Sequence, residues 1–169
     1  KDLEVLSVVK YVLSEEGVKS FIVKKILDIL NNRLSYYLQK MDANCMCSFN
    51  EFFEENIINE KGEECSYFNF SGAERKNVDL AILFTFMDMR RLQGEVAYNI
   101  VIFDELLDSS LDEKGVELVL NLLHERVDTY KENIYIISHR KESAKAATGE
   151  VINLQKQNGI TTRVDFVHE

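Results

Sequence analysis

The chain of 169 residues has no proline. No Gly/Ser-rich stretch interrupts it either, so nothing marks an internal domain boundary. No apolar run reaches the roughly 18 residues of a membrane span, and the charged N-terminal residues do not read as a signal peptide. Positive charge is in deficit: 20 Lys and Arg against 29 Asp and Glu leave a net charge of -9. That excludes a wholly basic nucleic-acid surface, while a local basic patch stays open. Cysteine is scarce and odd in number, at Cys45, Cys47 and Cys65. Cys45-x-Cys47 lacks zinc-pair spacing and no second pair or nearby His completes four ligands, so reduced, structural thiols in a cytoplasmic setting are expected. There is no internal repeat. Nor is there any GxxxxGK[ST] phosphate loop.

What is present reads as one α/β unit with a real core. Residues 1–13 place Leu3, Leu6, Val9 and Val12 at helical spacing, as the end of a longer helix or coiled coil. "SEEG" (14–17) is expected to break it, and a second helix follows over about 18–41, with Ile22, Ile26, Ile29, Leu30, Tyr37, Leu38 and Met41 on one face. Residues 45–68 shorten into runs that suggest antiparallel strands, including "CSYFNF", with a turn at Gly62. A helix to about Arg91 comes next, apolar nearly all round from Leu80 to Met87 and so expected to be deeply buried. "YNIVIF" (98–103) and "NIYIIS" (133–138) read as buried parallel strands, joined by a helix over about 114–130. Strand, helix, strand in that order predicts a right-handed βαβ unit. The tail alternates around Asn158-Gly159, a type I′ hairpin signal.

Four short stretches could carry chemistry. Asp104 and Glu105 end an apolar strand, where open α/β sheets place their ligands. Two acidic groups there suit Mg²⁺ on Asp104 and a water-orienting role for Glu105, or they simply open a solvated loop. "DSSLDEKG" (108–115) suits a capped turn into the next helix. His139 lies just past the second strand; it is either structural or a donor to a phosphate oxygen in the same crevice. Ser71-Gly72-Ala73-Glu74 is a complete capping box, and the amides of Gly72 and Ala73 at a helix N-terminus also suit an anion.

In this order the four pieces resemble the C-terminal half of an ABC-type ATPase head. More narrowly, they resemble the SMC-like, SbcC-type ATPases of double-strand-break repair, among them the recombination-exonuclease ATPase subunits of T4-type phages. Phe70-Ser71-Gly72-Ala73-Glu74, followed by Arg75, matches the ABC signature; Ile100–Asp104 matches Walker B, with Glu105 as the adjacent carboxylate. Ser109-Ser110-Leu111-Asp112 matches the D-loop, and His139 the switch histidine. Ala73 departs from the usual second glycine, and no proline follows Glu105. The Walker A lobe and coiled-coil hook lie upstream in such polypeptides, so the chain is expected to be a C-terminal piece: residues 1–13 the end of a coiled coil, 14–169 the C-terminal lobe.

The resemblance implies ATP and Mg²⁺ as cofactors. Asp104 would orient the metal through water, Glu105 would polarise the attacking water, and His139 would stabilise the γ-phosphate. Ser71, Gly72, Ala73 and Glu74 would contact nucleotide bound to a second copy, and the Asp112 loop would couple the two sites. The implied partners are the Walker A lobe of the same protein, a second head, a metallophosphoesterase-type nuclease and DNA, in the host cytoplasm if phage-encoded. Arg75, Lys76, Arg90, Arg91, Lys24, Lys25 and Arg33 are the basic clusters available to DNA. The rival reading is a chromosome-organising SMC head without a nuclease. A transporter ATPase is a third, disfavoured by the coiled-coil-like entry and by Glu-Arg after the signature.

Overall fold

A computed structural model describes residues 2–92, 94, 99–107, 110–140, 144–145 and 147–164. Ser109, the expected strand start at residue 98 and the tail beyond 164 lie outside the described residues. Two helices come first, α1 (Asp2–Val12) and α2 (Glu15–Lys40). The break falls at Leu13-Ser14 rather than across "SEEG": Ser14 caps α2, its Oγ accepting from the amide of Gly17 at 3.1 Å. Gly17 thus lies inside the helix. It is there because a Cβ would stand 2.1 Å from the carbonyl oxygen of Tyr11, so only glycine lets the end of α1 come this close.

Three short strands, β1 (Cys45–Phe49), β2 (Glu55–Asn59) and β3 (Glu64–Cys65), form an antiparallel sheet in that order. The expected strand through "CSYFNF" stops at Cys65. Ser66 Oγ accepts from the Phe68 amide while Asn69 Oδ1 accepts from the Ser66 amide, and this local box turns residues 67–69 into a 3₁₀ helix. Side chains that hydrogen-bond nearby backbone displace a strand in this way.

Helix α3 (Gly72–Leu92) packs on α2, and β4 (Ile100–Asp104) pairs in parallel with β5 (Asn133–Ile137) across α4 (Glu113–Tyr130). A hairpin of β6 (Asn153–Gln157) and β7 (Ile160–Val164) follows. Its turn residues Asn158 and Gly159 have φ of 50° and 81°, the paired positive values a type I′ turn requires. The core joins Leu34, Tyr37 and Leu38 of α2, Val78, Ala81 and Phe84 of α3, and Val116, Val119 and Leu123 of α4. Each fully buried side chain of this kind contributes about 1.5–3 kcal/mol by leaving water.

Three burial expectations need correction. On α2 the buried stripe is Leu27, Leu30, Leu34, Tyr37, Leu38 and Met41, leaving Ile22 and Ile29 exposed. On α3, Leu83 and Phe86 face solvent, so the helix is covered on only part of its circumference. The parallel strands are buried on one face alone. Val101, Phe103, Ile134 and Ile136 meet the core, whereas Ile100, Ile102, Tyr135 and Ile137 are each more than half exposed. Parallel strands become buried on both faces only when both are covered; here the second face has no covering element among the described residues.

Candidate functional site

Register places the acidic strand end. Asp104 pairs with Ile137, and along each strand alternate residues share a face, so Asp104 stands on the open face with Ile100 and Ile102. Its side chain has no hydrogen bond or ion pair with the described residues. Glu105 leaves the strand in the left-handed region, with φ of 54°, while its amide still donates to the carbonyl of Ile137 at 2.9 Å. Non-glycine residues avoid that region unless their surroundings hold them there. The effect is to turn Glu105 outward at the strand's end, where its side chain is 69% exposed.

His139 comes to the same edge. Its Nε2 is 4.0 Å from Glu105 Oε1 and its side chain is 87% exposed. Asp104, Glu105 and His139 therefore converge at the C-terminal end of β4–β5, as the connectivity predicts. Among the described residues no three His, Cys, Asp or Glu side chains gather as a metal cluster. A carboxylate without a protein partner at a strand end fits a cation held largely by water and phosphate, the way Mg²⁺ is commonly held.

The second group lies at the start of α3. Ser71 donates to Glu74 Oε2 through both its amide (2.8 Å) and its hydroxyl (2.7 Å), and the Glu74 amide donates to Ser71 Oγ at 3.4 Å. The capping box therefore forms. The two hydrogen bonds from Ser71, hydroxyl first and amide second, hold the Glu74 carboxyl below its ordinary range. Glu74 is thus an anchor for the turn, while the amides of Gly72 and Ala73 lie outside the box at the positive end of the helix. Arg75 locks the approach to this turn, donating from Nε to Phe70 O at 2.9 Å and from a terminal nitrogen to Phe68 O at 3.2 Å. A methyl group at Gly72 would lie 3.5 Å from Ser110 Oγ, so the stretch expected to be the D-loop lies directly against the turn expected to be the signature.

Asp112 is engaged as a cap. Its Oδ1 accepts from the Gly115 amide at 2.7 Å and starts α4. Ser110, two residues earlier, has φ of 60°. Sequence reasoning missed Arg140, whose guanidinium donates to Leu111 O at 2.9 Å. Nothing in a sequence marks which carbonyl a guanidinium reaches across 29 positions. The thiols play no part in the site: burial pushes Cys45 and Cys47 up to about 11, which keeps them protonated and unreactive.

The frame also resembles solved structures. An SMC ATPase structure from work on ATP-driven dimerization superposes with a TM-score of 0.69 at 17% identity, covering 88% of this chain and 89% of that one. The Smc head domain with an extended coiled coil from Pyrococcus furiosus gives 0.67 at 18% identity over 96% of this chain and 41% of the other. The fold is that of an SMC ATPase head. In sequence, this chain aligns with exonuclease subunit 2 of Escherichia phage RB69, 34% identical over 149 residues. It aligns equally with exonuclease subunit 2 of Enterobacteria phage T4, 32% identical over 152 residues. These alignments cover 88% and 90% of this chain but 26% of each relative, so the chain spans about a quarter of their length. No family model matches it.

Within the head fold the basic residues divide. Arg91 is paired with Glu132 and stacks on Tyr130, Arg33 lies 3.8 Å from Asp88, and Arg75 holds the loop before α3. Lys24, Lys25 and Arg90 remain on exposed helix surface. Among the described residues no helix is long and apolar enough to cross a membrane.

Proposed function

We propose that the chain is the C-terminal lobe of an ATP-hydrolysing head in a recombination and repair exonuclease complex. The observation that carries this reading is the open face of β4–β5. Asp104 emerges on the same side as Ile100 and Ile102, so the metal-binding candidate and an uncovered apolar surface point at the same missing neighbour. A lobe carrying Walker A from the same protein fits both, bringing a phosphate loop to Asp104 while covering the isoleucines. The apolar residues exposed along α1, including Leu3, Leu6 and Val9, suit the second strand of a coiled coil in the same way.

In that assembly ATP would supply the phosphoryl group, and bound Mg²⁺ would supply the charge that neutralises it. Asp104 would hold the metal. Glu105, turned out by its left-handed φ, polarises the attacking water, and His139 donates to the γ-phosphate oxygens. The Gly72 and Ala73 amides, with Ser71, contact nucleotide bound to a second head, and the loop at Asp112 relays between the two sites. Head closure regulates a partner nuclease of the metallophosphoesterase type, and Lys24 and Lys25 are candidates for DNA contact. The relatives' name, exonuclease subunit 2, favours this over a chromosome-organising head.

The test compares this chain alone with the same chain joined to its Walker A lobe. Alone it should hydrolyse essentially no ATP. Joined, it should turn ATP over, and Glu105→Gln should abolish turnover while trapping an ATP-bound dimer. Turnover by the isolated chain, or a joined Glu105→Gln protein that dimerises and hydrolyses like the parent, would overturn the assignment.

A further inference from the structure

Leu111 O sits one residue before the cap of α4, so the helix ladder offers it no partner; Asp112 O is the first carbonyl used, by Val116 N at 3.0 Å. Arg140 supplies the missing donor at 2.9 Å. Leu111 itself is 5% exposed with its side chain in the core, so this carbonyl has a fixed position. At its other end, Arg140 belongs to a small serine turn in which its own amide donates to Ser138 Oγ at 3.0 Å. That turn brackets His139. The clamped loop begins with Ser110 in the left-handed region, its hydroxyl lying against Gly72.

One side chain therefore spans two edges of the head. On one side is the turn that carries His139 towards Glu105; on the other is the loop that abuts the signature turn. We propose that Arg140 is a positioning residue that locks the His139 turn to the 110–112 loop, so that a displacement at the signature edge reaches the hydrolytic edge. This rests on the ATPase reading above. Arg140 contacts neither reacting atom: it acts by holding Leu111 O and the His139 backbone in register. A hydrogen bond with a charged donor is strong enough for this, and its loss should lower turnover about ten- to a hundredfold.

The experiment uses the full-length protein with its Walker A lobe, as Arg140→Ala and Arg140→Lys. Arg140→Ala should reduce kcat by about that factor and leave the KM for ATP within roughly twofold, because no phosphate contact is removed. Arg140→Lys should recover part of the loss, since an ammonium can also donate to a carbonyl. Without nucleotide, amide hydrogen exchange at residues 110–112 should quicken in Arg140→Ala while α2 and α3 keep their protection. Unchanged exchange in that loop, or equal loss of protection throughout the head, overturns the clamp. Glu105→Gln run in parallel separates the two ideas. If it abolishes turnover while Arg140→Ala leaves kcat unchanged, the clamp fails and the ATPase reading stands; if Glu105→Gln is also without effect, the ATPase reading fails.

Discussion

Replacing Arg126 by Met would remove the centre of a buried charge cluster. The Arg126 side chain is 2% exposed and donates to Glu132 Oε1 and Oε2, both at 2.9 Å, to Asp88 Oδ1 at 2.7 Å and to Tyr37 Oη at 2.8 Å. Burial alone would lower its pKa, but the carboxylates of Glu132 and Asp88 outweigh burial and raise it. Without Arg126, two carboxylates that are each 2% exposed lose their shared counter-charge. Neither is left bare: Tyr37 Oη still donates to Asp88 at 2.7 Å, and Arg91 still reaches Glu132 at 2.8 Å. The cost should thus fall in the lower part of the range for breaking a buried pair, about 3–4 kcal/mol. At about 2–4 °C per kcal/mol for a chain of this size, the midpoint should drop by roughly 10 °C in a thermal melt. The pH dependence should flatten as well. In the parent, burial would raise the Glu132 pKa, but hydrogen bonds from Arg126 and Arg91 hold it below the ordinary value. A depressed carboxylate contributes stability above its unfolded pKa, and that stability is lost as pH falls through the folded pKa. In the variant only Arg91 still offsets the burial of Glu132, so the depression of its pKa shrinks and less stability should be lost on acidification than in the parent. Adding Asp88→Asn and Glu132→Gln should recover most of the loss. A single Met substitution costing under about 1 kcal/mol, with the parent's pH profile intact, would refute the assignment of a mutually dependent cluster.

Two further substitutions probe backbone approach. Gly17→Ala places a Cβ 2.1 Å from Tyr11 O, so α1 should swing away from α2 at a cost of about 1–3 kcal/mol; spin-label distances between Val8 and Lys24 would show this, and an unchanged distance would contradict it. Gly72→Ala meets Ser110 Oγ only at ordinary contact distance, 3.5 Å, so stability should stay within about 0.5 kcal/mol. The same methyl covers the amides proposed for phosphate, so nucleotide-driven dimerisation in native mass spectra should be lost; persistent dimers would remove Gly72 from the site.

The elements most legible in the sequence were those whose signal is local. The Asn158-Gly159 turn, the Ser71–Glu74 box and the Asp112 cap each rest on hydrogen bonds or φ values that neighbouring residues dictate, and all three form. Parallel pairing of β4 with β5 follows from two apolar runs separated by one helix. What composition could not convey was which apolar face has a neighbour. Ile29 on α2, Leu83 and Phe86 on α3, and Ile102 on β4 are as apolar as their buried counterparts, yet burial depends on the element opposite. Periodicity likewise gave no hint that Gly17 marks a helix–helix contact, or that Arg126 belongs inside. An arginine on the apolar stripe of α4 reads as an irregularity until Asp88 of α3, and Glu132 just past the end of α4, are brought to it.

The exposed isoleucines bear on Asp104, which has no partner among the described residues. An apolar patch and a carboxylate on the same strand face have opposite requirements: Ile100 and Ile102 gain by losing water, whereas Asp104 loses hydration on burial unless a positive charge replaces it. A neighbour that covers this face must therefore be apolar over β4's start and deliver cationic charge at its end. A purely hydrophobic partner would strand Asp104, and a purely ionic one would leave Ile100, Ile102, Tyr135 and Ile137 in water. A phosphate loop with its bound metal, set beside an apolar sheet edge, meets both requirements at once. The pattern of burial on β4 thus narrows the proposed neighbour more tightly than the Asp-Glu pair does alone.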